Sequence, residues 1–183
     1  MIETEQTALV NAAIDDVWDY VQDIGRWAEI MPGYRECEII DDNTSRWTLK
    51  VGVGGLVRTV KVAVNVETWD GPATVRFTYQ LTGDPVQGGG TYQATSIAPD
   101  QTEIGLTVFV CGSGPMAPMW EAMGRPLLPR FAQDFANQLK EGIEKSVARR
   151  EVASTTPPEP AASGIWAWLA RLWRRLSGQM PQQ

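Results

Sequence analysis

Apolar and polar residues alternate along most of this chain. Residues 2–11 read as a first strand, and Ala13 to Asp23 then changes to helical spacing, with Ile14, Val17, Trp18 and Val21 on one face. Asp15 and Asp16 suit the positive end of that helix. A second short helix is expected through Trp27 and Ile30, ended by Pro32-Gly33. Six period-two segments follow, at 35–41, 45–53, 57–69, 74–82, 89–98 and 102–112. The clearest sets Val60, Val62, Val64 and Val66 on one face, with Lys61 and Asn65 on the other. Such alternation predicts antiparallel sheet covered on one side only.

From Met116 the spacing becomes helical again. Leu127, Leu128, Phe131, Phe135, Leu139, Ile143 and Val147 form one apolar stripe. Pro126 and Pro129 interrupt it, so the expectation is either one kinked helix or a short helix, 116–124, joined to a longer one. The body therefore reads as an α+β fold: a curved antiparallel sheet of about seven strands with a long C-terminal helix laid in it.

The stretch 151–163 is rich in Ala, Ser, Thr, Pro and Glu and reads as a linker. Extended, it would reach roughly 40 Å at ~3.1 Å per residue. Beyond it, 164–177 reads as a short amphipathic helix, and 178–183 as a disordered end. On a helical wheel Ile165, Trp166, Trp168, Leu169, Ala170, Leu172, Trp173 and Leu176 share one face, and Arg171, Arg174 and Arg175 the other. Tryptophans facing apolar and arginines facing polar suit a membrane interface. A partner's groove or the chain's own body would fit the same pattern. The segment is far shorter than the ~20 apolar residues of a bilayer span.

Charge sharpens this division. Residues 1–153 carry 13 Lys and Arg against 21 Asp and Glu, about −8, whereas the last thirty residues carry three Arg and one Glu, about +2. An acidic body argues against nucleic acid as a partner. It would also be repelled by an anionic membrane that attracts the tail, each arginine contributing about 1 kcal/mol there. The acidic N-terminus does not look like a signal peptide, so a cytoplasmic protein, peripheral on the membrane's inner face, is expected.

The sequence has no histidine, which removes the commonest general base and metal ligand, and with it Ser–His and Cys–His catalysis. Cys37 and Cys111 fit no metal spacing and read as buried reduced thiols. The Gly-rich stretches at 52–57 and 87–90 lack the rest of a dinucleotide or phosphate-loop signature and read as turns. Asp15–Asp16 and Asp41–Asp42 are adjacent pairs that do not converge on one site. No catalytic residue, cofactor or metal is therefore expected; Tyr79, Tyr92 and Ser96 read either as polar anchors near the apolar face or, more commonly for a tyrosine, as satisfied core residues.

Particular segments carry a family resemblance. VNAAIDDVWDYVQD resembles the opening of the START-like, SRPBCC superfamily, with its helix-grip fold. IMPGYRECEII, WTLKVGVGGLVRTVKVAVNV and GGGTYQAT are similar to segments of the CoxG-like proteins associated with carbon monoxide dehydrogenase. Tyr34 stands where that pattern often has Cys. The resemblance covers residues 1–150 and implies an apolar ligand cavity between sheet and helix. It also implies a link to molybdenum hydroxylases of the carbon monoxide dehydrogenase type and, in several relatives, a membrane-associating C-terminal extension.

On this basis the ligand contacts are expected from Trp47, Leu49, Val62, Val64, Phe77 and Tyr79 on the sheet, with Trp27 and Met31 near the entrance. Met119, Trp120, Met123, Phe131 and Phe135 would come from the helix. The methionines at its start read either as core or as an adaptable gate. The expected function is a non-enzymatic carrier of a lipid- or quinone-like molecule, tethered to anionic lipid by its tail. The alternatives are a recruitment factor for a molybdenum hydroxylase and a cyclase- or hydrolase-like enzyme.

Overall fold

The structure is a computed structural model that describes residues 1–53, 56–115 and 117–155. Strand β1 (Ile2–Val10) leads into helices α1 (Ile14–Val21) and α2 (Ile24–Glu29). Six strands follow: β2 (Tyr34–Ile39), β3 (Thr44–Val53), β4 (Leu56–Asp70), β5 (Thr74–Leu81), β6 (Val86–Ala98) and β7 (Gln101–Gly112). The long helix α3 (Ala117–Thr155) comes last. Met1–Ala148 form one compact unit, and the described residues of the second unit, which begins at Arg149, are the last turns of α3.

All seven strands join one sheet in the order β1-β7-β6-β5-β4-β3-β2, every pair antiparallel. Strands β2 to β7 form a simple meander, and β1 closes onto β7. Since β1 and β2 are opposite edges, α1 and α2 carry the chain between them. This is the antiparallel sheet with a long C-terminal helix expected from the residue pattern, and the helix-grip arrangement that the family resemblance implies.

Period two explains the sheet. Val62, Val64 and Val66 are buried, while the residues between them face outward. The same parity puts Trp47 and Leu49 of β3, Tyr92 and Ala94 of β6, and Ile104 and Leu106 of β7 into the core. Helix α3 meets this face with Ala132, Phe135, Leu139 and Ile143. The turns are chosen chemically: Oδ1 of Asp41 accepts from the amides of Asn43 (2.9 Å) and Thr44 (2.7 Å), closing β2–β3. Gly33, at φ 82°, brings its carbonyl to the Lys50 amide at 2.7 Å, and a Cβ there would collide with the Lys50 backbone.

Three expectations need correction, and of the two alternatives for the last helix the structure takes the single one. Helix α3 is assigned as one helix through Pro126 and Pro129, with no break at Gly124. Both prolines are exposed, so water can meet the carbonyls they leave unpaired. Helix α3 also reaches Thr155, so the linker does not start at 151. Gly88, Gly89 and Gly90 are strand residues of β6 rather than a turn. Cys37 and Cys111 are free, and half-buried rather than buried. The rest of the expected linker, the amphipathic segment 164–177 and the end 178–183 lie outside the described residues.

Candidate functional site

Burial changes systematically along the strands. At one end the sheet–helix interface is dry: Val10, Val17, Val21, Val75 and Ile143 are fully buried. Polar ties seal this end. The Asn11 amide and its Nδ2 both donate to Oε1 of Glu144 on α3 at 2.9 Å, and Thr102 Oγ1 donates to the Ala12 carbonyl at 2.9 Å. The Tyr20 ring sits on Gly142, where any Cβ would collide with it, so glycine lets α1 approach α3 closely.

Toward the other end most of the inward-facing positions become only half-buried, although Val86 at the start of β6 stays buried. The half-buried ones are Val51, Val60, Phe77, Tyr79, Leu81 and Val108 on the sheet; Leu127, Leu128 and Phe131 of α3 are half-buried as well. Met31 and Tyr34 flank them, also half-buried. Among the described residues, then, the cleft between sheet and helix is dry at one end and half-exposed at the other.

The boundary between the halves is aromatic. Trp27 of α2 stands edge-on to Phe77 (5.7 Å between centroids) and Tyr92 (5.9 Å), and tilted against Phe135 (5.7 Å). Its Nε1 donates to the Val21 carbonyl at 2.7 Å. Beyond it the inner face of β6 carries two glycines. The Phe77 ring lies over Gly90, whose added Cβ would stand 2.8 Å from Phe77 Cζ, and the Tyr79 ring lies over Gly88. Across Gly88, the Tyr79 hydroxyl donates to the Phe109 carbonyl at 2.9 Å. Three rings thus follow β6 toward the open end: Tyr92, Phe77 and Tyr79.

The expected contact residues divide between the two halves. Trp27, Trp47, Leu49, Val62, Val64 and Phe135 are buried core. Trp27 is the floor of the open half rather than part of an entrance. Met31, Phe77, Tyr79, Trp120, Met123 and Phe131 are half-buried, and Met119 is 42% exposed. Ser96 bonds the Ala98 carbonyl at 3.3 Å on the exposed side and is no anchor for the cleft. Trp47 Nε1 is taken by Ser45 Oγ at 2.8 Å.

Two features escaped the sequence pattern. Arg58 and Asp84 form a two-pronged ion pair, at 3.1 Å and 2.9 Å, linking the β4 start to the β5–β6 turn at the open end. Lone charges in separate turns gave no signal of it. The second is the glycine bed under Phe77 and Tyr79, since a glycine contributes nothing to an alternation pattern.

Electrostatically the cleft is nearly neutral. Burial pushes the phenols of Tyr79 and Tyr92 well above their ordinary range, so both stay protonated. They can donate a hydrogen bond but cannot act as bases near neutral pH. Among the described residues no three His, Cys, Asp or Glu side chains gather to hold a metal. Two further grooves are outside the cleft. One, of about 460 Å³, lies on the outer sheet face around Thr74, Arg76, Thr91 and Gln93; the other, of about 470 Å³, lies by the Thr82–Pro85 turn. Both are open to solvent.

The family described as polyketide cyclase/dehydrase and lipid transport matches residues 1–144. The chain belongs to this family. Its description covers both ring-forming enzymes and lipid carriers, and the sequence pattern of a START-like fold agrees with it. Solved structures share the fold. A conserved protein from Geobacillus kaustophilus superposes with TM-score 0.67 at 16% identity, over 79% of this chain and 97% of that one. The Zhui aromatase/cyclase from Streptomyces sp. R1128 gives 0.57 at 21%, over 80% and 95%. A START superfamily protein from Mycobacterium smegmatis gives 0.59 at 14%, over 81% and 98%. Among curated proteins none matches the chain. Among the described residues, no helix is long and apolar enough to cross a membrane.

Proposed function

We propose that this protein is a non-enzymatic carrier of a hydrophobic small molecule, lipid- or quinone-like, held in the open half of the sheet–helix cleft. The observation that carries this reading is the burial gradient: one continuous apolar face is dry at one end and half-exposed at the other. Half-exposed apolar rows are costly in water, at about 25 cal/mol per Å², and a bound apolar molecule would cover them. Room for it comes from the movable side chains of Phe77, Met123 and Phe131. The family description supports carriage as well as catalysis. Carriage is favoured because the inner phenols stay protonated, and among the described residues neither hydroxyl is hydrogen-bonded to a carboxylate.

The second part of the proposal is the tether. The segment 164–177, with its tryptophan face and three arginines, binds the inner face of the cell membrane and brings the carrier to its apolar cargo. The resemblance to CoxG-like proteins adds a molybdenum hydroxylase as a partner on that surface. Organic extraction of purified full-length protein, followed by mass spectrometry, tests the carrier. One class of hydrophobic molecule near one per chain is expected; an empty extract from protein that also fails to take up added quinone or lipid overturns it. Protein lacking 156–183 should keep its fold and lose sedimentation with anionic vesicles. A truncated body that still sediments contradicts the tether.

A further inference from the structure

Tyr92 poses a question that packing does not answer. It is fully buried, and its hydroxyl has no hydrogen-bond partner among the described residues. Other buried polar side chains of this core are satisfied: Trp27 by Val21, Trp47 by Ser45, and Thr102 by Ala12. An unmet buried hydroxyl costs about 1–3 kcal/mol, and phenylalanine would give the same ring contacts without that cost. A buried polar group left alone in a core calls for an explanation.

Its position supplies one. Tyr92 projects from the inner face of β6 between Val75 and Leu106, its cross-strand neighbours. It touches Trp27 at the floor of the open half. The next inward position toward the open end is Gly90, and the ring over Gly90 belongs to Phe77. Phe77 is half-buried and bound only by packing, so its ring can swing off the glycine bed. A flat ligand that takes that place lies beside Tyr92, the next inward position along β6.

We infer that Tyr92 is the specificity-determining residue of the cleft: it donates a hydrogen bond to an oxygen, a carbonyl of a ring system, at the leading edge of an otherwise apolar ligand. The inference rests on the carrier reading above and names the class of molecule carried. Burial keeps the phenol protonated, as a donor must be. Phe77, over the neighbouring Gly90, fills the space the ligand's ring takes.

The test compares two probes of the same shape, 2-methyl-1,4-naphthoquinone and 2-methylnaphthalene, by calorimetric titration into the full chain and into Tyr92→Phe. The full chain should prefer the quinone. Tyr92→Phe should lose about ten-fold in quinone affinity, the worth of one buried hydrogen bond, keep its hydrocarbon affinity, and melt no lower than the parent when empty. Equal quinone affinities in the two proteins overturn the inference, as does an equal loss for both probes, the mark of a merely structural role. A lower melting temperature with unchanged affinities also overturns it, since the hydroxyl would then be held by an internal water. If neither probe binds the parent but extraction recovers another lipid, the inference fails and the carrier reading stands. If nothing binds and nothing is recovered, both fail.

Discussion

Trp27 stands edge-on to Phe77 with ring centroids 5.7 Å apart, and this contact marks where the dry half of the cleft ends and the half-exposed part begins. Trp27 also touches Tyr92 and Phe135, so one side chain from α2 joins two strands and α3. Trp27→Ala should therefore cost about 3–5 kcal/mol, read as a lower urea midpoint at unchanged slope. A loss below about 1 kcal/mol would mean that the ring does not hold these elements together.

The two halves of α3 should respond differently to truncation. Ile143 is fully buried at the dry end, and Ile143→Ala should cost about 2–5 kcal/mol. Phe131 is half-buried on the open side, so Phe131→Ala should cost less in denaturation and more in ligand affinity. The reverse order in either measurement contradicts the gradient.

Tyr79 is anchored by one hydrogen bond across a glycine. Tyr79→Phe removes the donor to Phe109 and should cost about 0.5–1.5 kcal/mol. Gly88→Ala should cost more, because the added Cβ meets both the Tyr79 ring and the Phe109 backbone. A Gly88→Ala protein as stable as its parent would show that the ring bed is not needed.

The β2–β3 turn gives a pH dependence. The Asn43 amide, and with it Thr44, hold the Asp41 carboxyl below its usual value. A depressed carboxyl contributes stability that is fully present above the unfolded value of about 3.9 and is lost as pH falls through the folded one. The melting-temperature advantage of the parent over Asp41→Ala should thus be constant near neutrality and shrink below about pH 4. An advantage that grows on acidification contradicts this.

The sheet was legible because one face is dry and the other wet: Val60 to Val66 alternate as a half-covered strand must. Helix α3 was legible from Phe131 onward for the same reason, and Pro126 and Pro129 misled because the carbonyls they leave unpaired fall on the water side. The candidate site was read less well. Alternation says which face is inward, but not where along the strand it becomes half-exposed, so Trp27 and Trp47 looked no different from Phe77. Gly88 and Gly90 signalled a turn because their function, carrying rings from β5, belongs to another strand. Tyr92 read as an anchor or a satisfied core residue, but that its hydroxyl is unmet depends on what surrounds it in space.

The central claim is that the open half of the cleft takes an apolar ligand. Val108 lies there, half-buried, opposite Gly90 and beside Thr4. Val108→Trp should fill that space at an overpacking cost of about 1–3 kcal/mol, leaving the fold intact by circular dichroism. Calorimetric titration of 2-methyl-1,4-naphthoquinone into both proteins tests the claim most directly. The account predicts saturable one-to-one binding to the parent and its loss in folded Val108→Trp; binding unchanged by the filled cleft would contradict it.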